Sequence, residues 1–312
     1  MNFDARSLMT TVPNPDDPAI QTLHAGKGTG RGNVITLAVF VLALPALSNR
    51  AWADQPTSVL TTVDVPGATL TLARGCPGGD IVGNYLDSQN KQHGFLLSNG
   101  KLTTIDMPGA TATVALGIDG GGDIVGSYFA GGLNQHGFLL RNGTFTTVDV
   151  PGAIVTSASG INSGNIVGTY FDSGFGQHGF LLSNGKLTTI DMPGALATAA
   201  AGIDSGNIVG TYFDSAFRQH GFLLSDGKFT PIDVLGASAT TAAEINGHGD
   251  IVGYYLDNAF RQHGFLLSNG QYTVIDVPGA TASAASGIDG AGDIVGYYLD
   301  NAFRQHGFLL AK

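Results

Sequence analysis

The stretch GIDGAGDIVGYYLDNAFRQHGFLL at residues 287–310 decides the fold, because the chain spells variants of it six times. The segment IVG begins at Ile81, Ile124, Ile166, Ile208, Ile251 and Ile294. HGF begins at His93, His136, His178, His220, His263 and His306. Between successive copies, a motif of the type IDVPGA places its acid at Asp64, Asp106, Asp149, Asp191, Asp233 and Asp276. The period is 42–43 residues. A fixed period of this length marks an architecture whose units bury their apolar faces against one another.

One unit reads as four short strands. In the fifth they are ASATTAAEIN at 237–246, DIVGYYLD at 250–257, HGFLLS at 263–268 and QYTVID at 271–276. Gly- and Asn-rich turns separate them, supplying the positive φ of tight hairpins. The second and third strands are nearly continuous apolar runs, as expected of strands covered on both faces. The first is built of Ala, Ser, Thr and Gly, so it sits in a crowded place. The fourth carries Thr and Lys and, in the fourth unit, Pro231, which an edge strand tolerates. A β-propeller meets all four conditions: sheets stacked face to face around an axis, small residues innermost, an edge strand outermost. The reading is all-β, a six-bladed β-propeller of four-stranded antiparallel blades. SVLTTVD at 58–64 has no third strand before it, and HGFLL at 306–310 has no fourth strand after it. The N-terminal strand 58–64 is therefore expected to complete the last blade, burying Val59, Leu60 and Val63.

GIDGAGDIVGYYLD at 287–300, QHGFLL at 305–310 and their counterparts resemble the HAF family of extracellular repeat proteins, here in a His-Gly-Phe variant. The resemblance covers roughly 68–310, and it implies export without implying a catalytic residue. Export is also read from the N-terminus. VITLAVFVLALPAL at 34–47 is a short apolar run with Lys27 and Arg31 before it and AWA at 51–53 after it. That is the layout of a secretory signal cut after Ala53, and the run is too short to span a bilayer comfortably. The expected organisation is an extension and signal at 1–53, a linker at 54–57 and the propeller at 58–312. The mature protein is expected to be secreted, extracellular or periplasmic, monomeric, and without a stable membrane span.

Composition narrows the function. Charged residues make up 12% of the chain, against about 25% in typical soluble domains. The formal net charge is −10 and no Lys/Arg block exists to track phosphates, so nucleic acid is not an expected partner. Glu244 is the only glutamate and Cys76 the only cysteine, which excludes a glutamate pair and an intrachain disulfide framework. No cofactor, metal ligand set or catalytic group is assigned. The six HGF histidines lie one per unit, too far apart to share an ion. Five of them follow an Asp by six residues (Asp87, Asp172, Asp214, Asp257 and Asp300) and are expected to pair with it across the loop; the second unit has Ala130 instead. The turns DGGGD at 119–123 and DGAGD at 289–293 offer too few oxygens for calcium.

Two features stand out as candidate sites. The loop between second and third strands carries Phe217-Arg218, Phe260-Arg261 and Phe303-Arg304 in three consecutive units. Aromatic and guanidinium groups are typical anchors of binding surfaces. Arg74 and Glu244 are read as sharing one repeat position near the channel, where the other units carry Gly117, Gly160, Gly202 and Gly287, and as a polar channel site. Six near-identical units supply few unique groups, whereas catalysis needs several different ones converging on one atom. The expectation is an exported scaffold that binds a protein, glycan or surface polymer. The alternative is a propeller hydrolase or lyase working near the channel, whose mark would be a pocket gathering Arg74, Cys76, Glu244 and His248.

Overall fold

The computed structural model describes residues 58–131 and 134–312. The expected extension and signal at 1–53 and the expected linker at 54–57 lie outside the described residues. What is described is an all-β propeller of four-stranded antiparallel blades.

A first strand, β1 (Val59–Val63), precedes six successive four-strand sets, the last of which it completes. The first set is β2 (Leu70–Gly75), β3 (Ile81–Leu86), β4 (Gln92–Ser98) and β5 (Lys101–Ile105). Next come β6 (Ala112–Ile118), β7 (Ile124–Phe129), β8 (Gln135–Arg141) and β9 (Thr144–Val148). The third set is β10 (Val155–Asn162), β11 (Asn165–Phe171), β12 (Gln177–Ser183) and β13 (Lys186–Ile190). The fourth is β14 (Ala197–Asp204), β15 (Asn207–Phe213), β16 (Gln219–Ser225) and β17 (Lys228–Ile232). The fifth is β18 (Ala239–Ile245), β19 (Ile251–Leu256), β20 (Gln262–Ser268) and β21 (Gln271–Ile275). The chain closes with β22 (Ala282–Ile288), β23 (Ile294–Leu299) and β24 (Gln305–Ala311).

The expectation of six separate sheets is corrected in one respect. Four sheets have four strands each, while β6–β13 form one sheet of eight. Its two antiparallel sets are joined by a single parallel pair, Val155 with Gln135, at the starts of β10 and β8. The expected closure is present: β1 pairs antiparallel with β24 from Val59↔Ala311 to Val63↔Gly307. Asp64 accepts a hydrogen bond from His306 Nδ1 at 2.8 Å across the same seam. Val63 and Val65 are buried there and Leu60 is half-buried. Val59 is 62% exposed, contrary to expectation, because it opens the outermost strand, whose first residue is exposed in every set.

The residues that repeat are the residues that pack. Each IVG glycine lies opposite the HGF phenylalanine in register, as in Gly253↔Phe265. Phe95, Phe138, Phe180, Phe222, Phe265 and Phe308 are all fully buried. The IVG valine of each set then packs into the core of the next; Val295 joins Val63, Ala73 and Phe95 and so carries the packing across the seam. Small residues fill the innermost strands because neighbouring sets approach closely: a Cβ on Gly160 would stand 2.6 Å from the carbonyl oxygen of Ala201. The buried Thr or Ser of each inner strand also has a bonding task. The Val65 N–H donates to Thr71 Oγ1 at 3.1 Å, and the Val277 N–H donates to Ser283 Oγ at 3.0 Å. The preceding PGA segments are tight turns; the Ala68 N–H reaches the Val65 carbonyl at 3.0 Å, with Gly67 at φ 81°. That positive φ is what calls for glycine.

Candidate functional site

The antiparallel registers put the loops between second and third strands and the PGA turns on one face, and the hairpins on the other. In the loop after β15, the Asp214 carboxylate organises everything near it. Its Oδ1 accepts the N–H of Ala216 at 2.8 Å and of Arg218 at 2.9 Å. Its Oδ2 accepts Arg218 Nε at 2.8 Å and lies 3.3 Å from His220 Nε2. Asp257 and Asp300 hold Arg261 and Arg304 in the same way. The backbone N–H of Arg218, followed by its guanidinium, holds the Asp214 carboxyl well below the usual carboxylate range, and Arg304 does the same for Asp300. A depressed carboxyl pKa stabilises the fold above the unfolded value of about 3.9 and loses that contribution as pH falls toward the folded one, so these loops stay clasped at neutral pH.

The arginines are thus anchored to their own loops, and the phenylalanines point outward. Phe217 is 78% exposed, Phe260 55% and Phe303 51%. Phe175 extends the arc into the third set at 61%. All four have left-handed backbones, with φ from 58° to 65°. For an L-residue with a bulky side chain that conformation is an outlier costing roughly 1–2 kcal/mol. Burial gives nothing back at these positions. The first set places Asn90 there at φ 60°, the residue type suited to it. That alignment of Phe against Asn was the available signal of a constrained position. Leu133 of the second loop lies outside the described residues. Ile154, Leu196 and Leu235 are exposed on the same face and widen the apolar surface.

Five of the HGF histidines have two acidic neighbours, of which the sequence reading found the more distant, and His136 has one, Asp149. Nδ1 of His220 lies 2.8 Å from Asp233, and Nδ1 of His93 lies 2.9 Å from Asp106. The expected Asp six residues before the His lies at 3.3–3.5 Å in the five sets that have it. The missed partner had a signal, a spacing of 13 residues from His to the acid of the IDVPGA motif in five of the six sets. A tyrosine stacks on each ring, as Tyr212 does on His220 at 5.1 Å between centroids. The hydrogen bond to Asp276 raises the pKa of His263.

The channel reading needs correction. Glu244 pairs in register with Val252, as Gly75 does with Val82; Arg74 sits one residue earlier, in the bulge between Ala73 and Gly75. The two are not equivalent: every set has this bulge, and the turn from Gly75 to Ile81 is one residue shorter than that from Glu244 to Ile251, so counting back from the IVG motif lands one residue early in the first set. Nor do they pair. Arg74 lies over the Tyr297 ring, 5.8 Å from its centroid, and its Nε has no hydrogen-bond partner among the described residues. Glu244 lies against Gly202 of the preceding set, and its Oε1 accepts the Ile245 N–H at 3.1 Å. It lines an axial cavity of about 190 Å³ on the hairpin side, together with Cys76, Asp204 and Asp289. Arg74 and His248 do not line it. Burial pushes the Cys76 thiol well above its ordinary pKa, and the Glu244 carboxyl up from 4.5 to about 8.

That shift has a consequence for stability. Between pH 4.5 and about 8 the folded protein keeps a proton on Glu244 that the unfolded chain has lost. Folding stability therefore falls as pH rises through that window, by at most about 1.4 kcal/mol per pH unit. Glu244→Gln should remove the slope. Thermal melts at pH 5 and pH 8 check it: the difference in melting temperature between the two pH values should shrink in the variant. Equal pH dependence in both proteins would contradict the assignment.

No family model matches the chain, and no curated protein matches it. Among solved structures, the chain is similar in fold to the six-bladed β-propeller fucose lectin of Aleuria aurantia, at 14% identity and TM-score 0.51 over 80% of this chain and 93% of that one. TolB from Acinetobacter baumannii aligns at 11% identity and TM-score 0.55, covering 76% of this chain and 65% of TolB. The β-propeller domain of the Pyrococcus furiosus Trilobed protease aligns at 12% identity and TM-score 0.51, over 78% of this chain and 81% of that domain. That domain is described as having an open velcro topology; here β1 and β24 are paired. Among the described residues, no helix is long and apolar enough to cross a membrane.

Proposed function

We propose that this protein is an exported, monomeric, six-bladed propeller of the HAF type that binds a repeating glycan or surface polymer. Each four-strand set is taken as one blade, the β6–β13 sheet counting as two. The observation that carries the reading is the arc of Phe175, Phe217, Phe260 and Phe303, exposed and left-handed in four consecutive sets. Outlying backbone conformations persist where the surrounding structure imposes them, and they concentrate at functional sites. Flat aromatic faces beside guanidinium groups already neutralised by Asp214, Asp257 and Asp300 suit a largely neutral ligand with alternating polar and apolar faces. Equivalent sites in consecutive blades favour a ligand that repeats, since weak contacts add through avidity. The likeness to the Aleuria aurantia lectin is a likeness of fold; the arc supports the binding reading.

The alternative, a hydrolase or lyase at the channel, has less behind it. Of the four unique residues only Cys76 and Glu244 share the axial cavity, and at neutral pH both are in their protonated forms, so neither offers a ready nucleophile or base.

The arc is tested on a glycan and surface-polymer array with Phe217→Asn, Phe260→Asn and Phe303→Asn combined. Asn suits a left-handed backbone, so the variant should melt no lower than the parent, while binding should fall roughly tenfold or more. A second variant, Arg218→Ala, Arg261→Ala and Arg304→Ala combined, loosens the loops and should also weaken binding. Unchanged affinity in the phenylalanine variant would sink the proposal.

A further inference from the structure

The seam where the last blade meets the first holds a cavity of about 380 Å³ that reaches from the hairpins at Gly78–Asp80 and Asn99 to Asp64 at the loop end of β1. That is within the range of small-ligand sites, about 300–1,000 Å³. One wall is β1, with Thr61 and Asp64, backed by Leu309. The other is the first set's hairpins, with Gly78, Gly79 and Asp80 on one and Asn99 on the other. The seam differs from the other blade junctions in two ways. β1 and β24 are not joined by a hairpin, and the opposing turn is a single 3-10 turn, Pro77–Gly79. Gly78 and Gly79 have positive φ, and a Cβ on either would meet nothing within 4 Å, so this wall presents bare backbone to open space.

The groups inside are polar, and one of them is unusual. At the equivalent of Asp80 in the second set, Asp123 is bound to Arg141, with Nε to Oδ2 at 2.7 Å. In the last set, Asp293 accepts the Lys312 backbone N–H at 2.9 Å. Where the second set has Arg141, the first has Ser98, and the half-buried Asp80 carboxylate has no hydrogen-bonding or ionic partner among the described residues. Asp64 already engages His306 through Oδ2. No Lys or Arg lines the cavity. Two carboxylates with no cation repel an anion. Thr61 and Asn99 can exchange hydrogen bonds in both directions, and Ile81, Leu97 and Leu309 offer an apolar floor. We propose that this seam cavity is a binding site for one neutral sugar ring, with Asp80 accepting hydrogen bonds from its hydroxyls. The site shares no lining residue with the phenylalanine arc, and its nearest link to it is Asp64, which holds His306 beside Asp300.

The test is titration of the full chain, observed by amide NMR, with D-glucose, D-galactose, D-mannose, L-fucose and N-acetylglucosamine, and with D-glucuronate as the anionic control. At least one neutral sugar should shift the amides of Gly78, Gly79, Asn99 and Gly100, and D-glucuronate should bind more weakly. Asp80→Ala should weaken the affinity roughly tenfold or more, the loss expected for a hydrogen bond to a charged group. Thr61→Val, which keeps the side chain's shape, should weaken it less, and the combined phenylalanine variant should leave it unchanged. Four results would each overturn the assignment: no neutral sugar shifting these amides, glucuronate binding best, Asp80→Ala binding as the parent does, or the phenylalanine variant abolishing the shifts.

Discussion

A chain that begins at Pro66 melts far below the intact protein and associates with itself. This is the expected result of removing β1, and it has the largest effect of any change considered. The loss includes the backbone pairing from Val59↔Ala311 to Val63↔Gly307 and the burial of Val63 and Val65 against Ala73, Phe95 and Val295. Two side-chain links go as well, His306 to Asp64 at 2.8 Å and Thr62 to Tyr298 at 3.2 Å. Fully burying one aliphatic side chain contributes roughly 1.5–3 kcal/mol. Two valines, the half-buried Leu60 and the hydrogen bonds together approach the net stability of an ordinary domain, about 5–15 kcal/mol. The uncovered edge of β24 is also a template for pairing with another chain. Calorimetry and light scattering read both effects, and adding the peptide SVLTTVDVPGA should restore part of the melting temperature. A truncated chain that stayed monomeric with an unchanged melting temperature would show that β1 does not hold the ring closed.

The second large effect is expected from a single methyl group. In Gly253→Ala the new Cβ would collide with the carbonyl oxygen of Thr241 and stand 2.9 Å from the Phe265 ring. Neither neighbour has room to move: the carbonyl belongs to the paired inner strand, and Phe265 is fully buried. The cost should exceed about 4 kcal/mol, the range of overpacked cores and broken backbone geometry. The variant should be largely insoluble or melt tens of degrees lower. Gly270→Ala is the control. Its Cβ would meet nothing within 4 Å, and only its φ of 75° resists the change, at about 1–2 kcal/mol. Similar losses from the two substitutions, measured by denaturant unfolding, would mean that the glycine–phenylalanine contact is not what fixes the blade.

Much of this was readable from the repeat. Period, strand order and burial follow from local composition: Gly and Asn at the turns, apolar runs in the middle strands, small residues in the innermost one, Pro231 at an edge. Those choices are dictated by each residue's immediate neighbours, and six copies reinforce one another. The seam was readable for the same reason, since SVLTTVD supplies the fourth strand that HGFLL lacks. The pairing of Asp with the His six residues later could be seen because both flank one loop.

What escaped was whatever depends on where the backbone turns or on residues brought together from distant parts of the chain. Arg74 lies one position from Glu244 because the turn that follows it is one residue shorter, and only the strand register shows where that residue is lost. The nearer acid of each histidine arrives from the following strand, and for His306 it comes from Asp64, 242 residues away. The left-handed backbone at Phe217, Phe260 and Phe303 is imposed by the Asp clasp around each loop, against the preference of phenylalanine itself. Sequence patterning determined the blades because a strand's burial repeats along its own few residues. Tertiary structure alone decided the buried acid and the seam cavity, because each is set by the packing of one blade against the next.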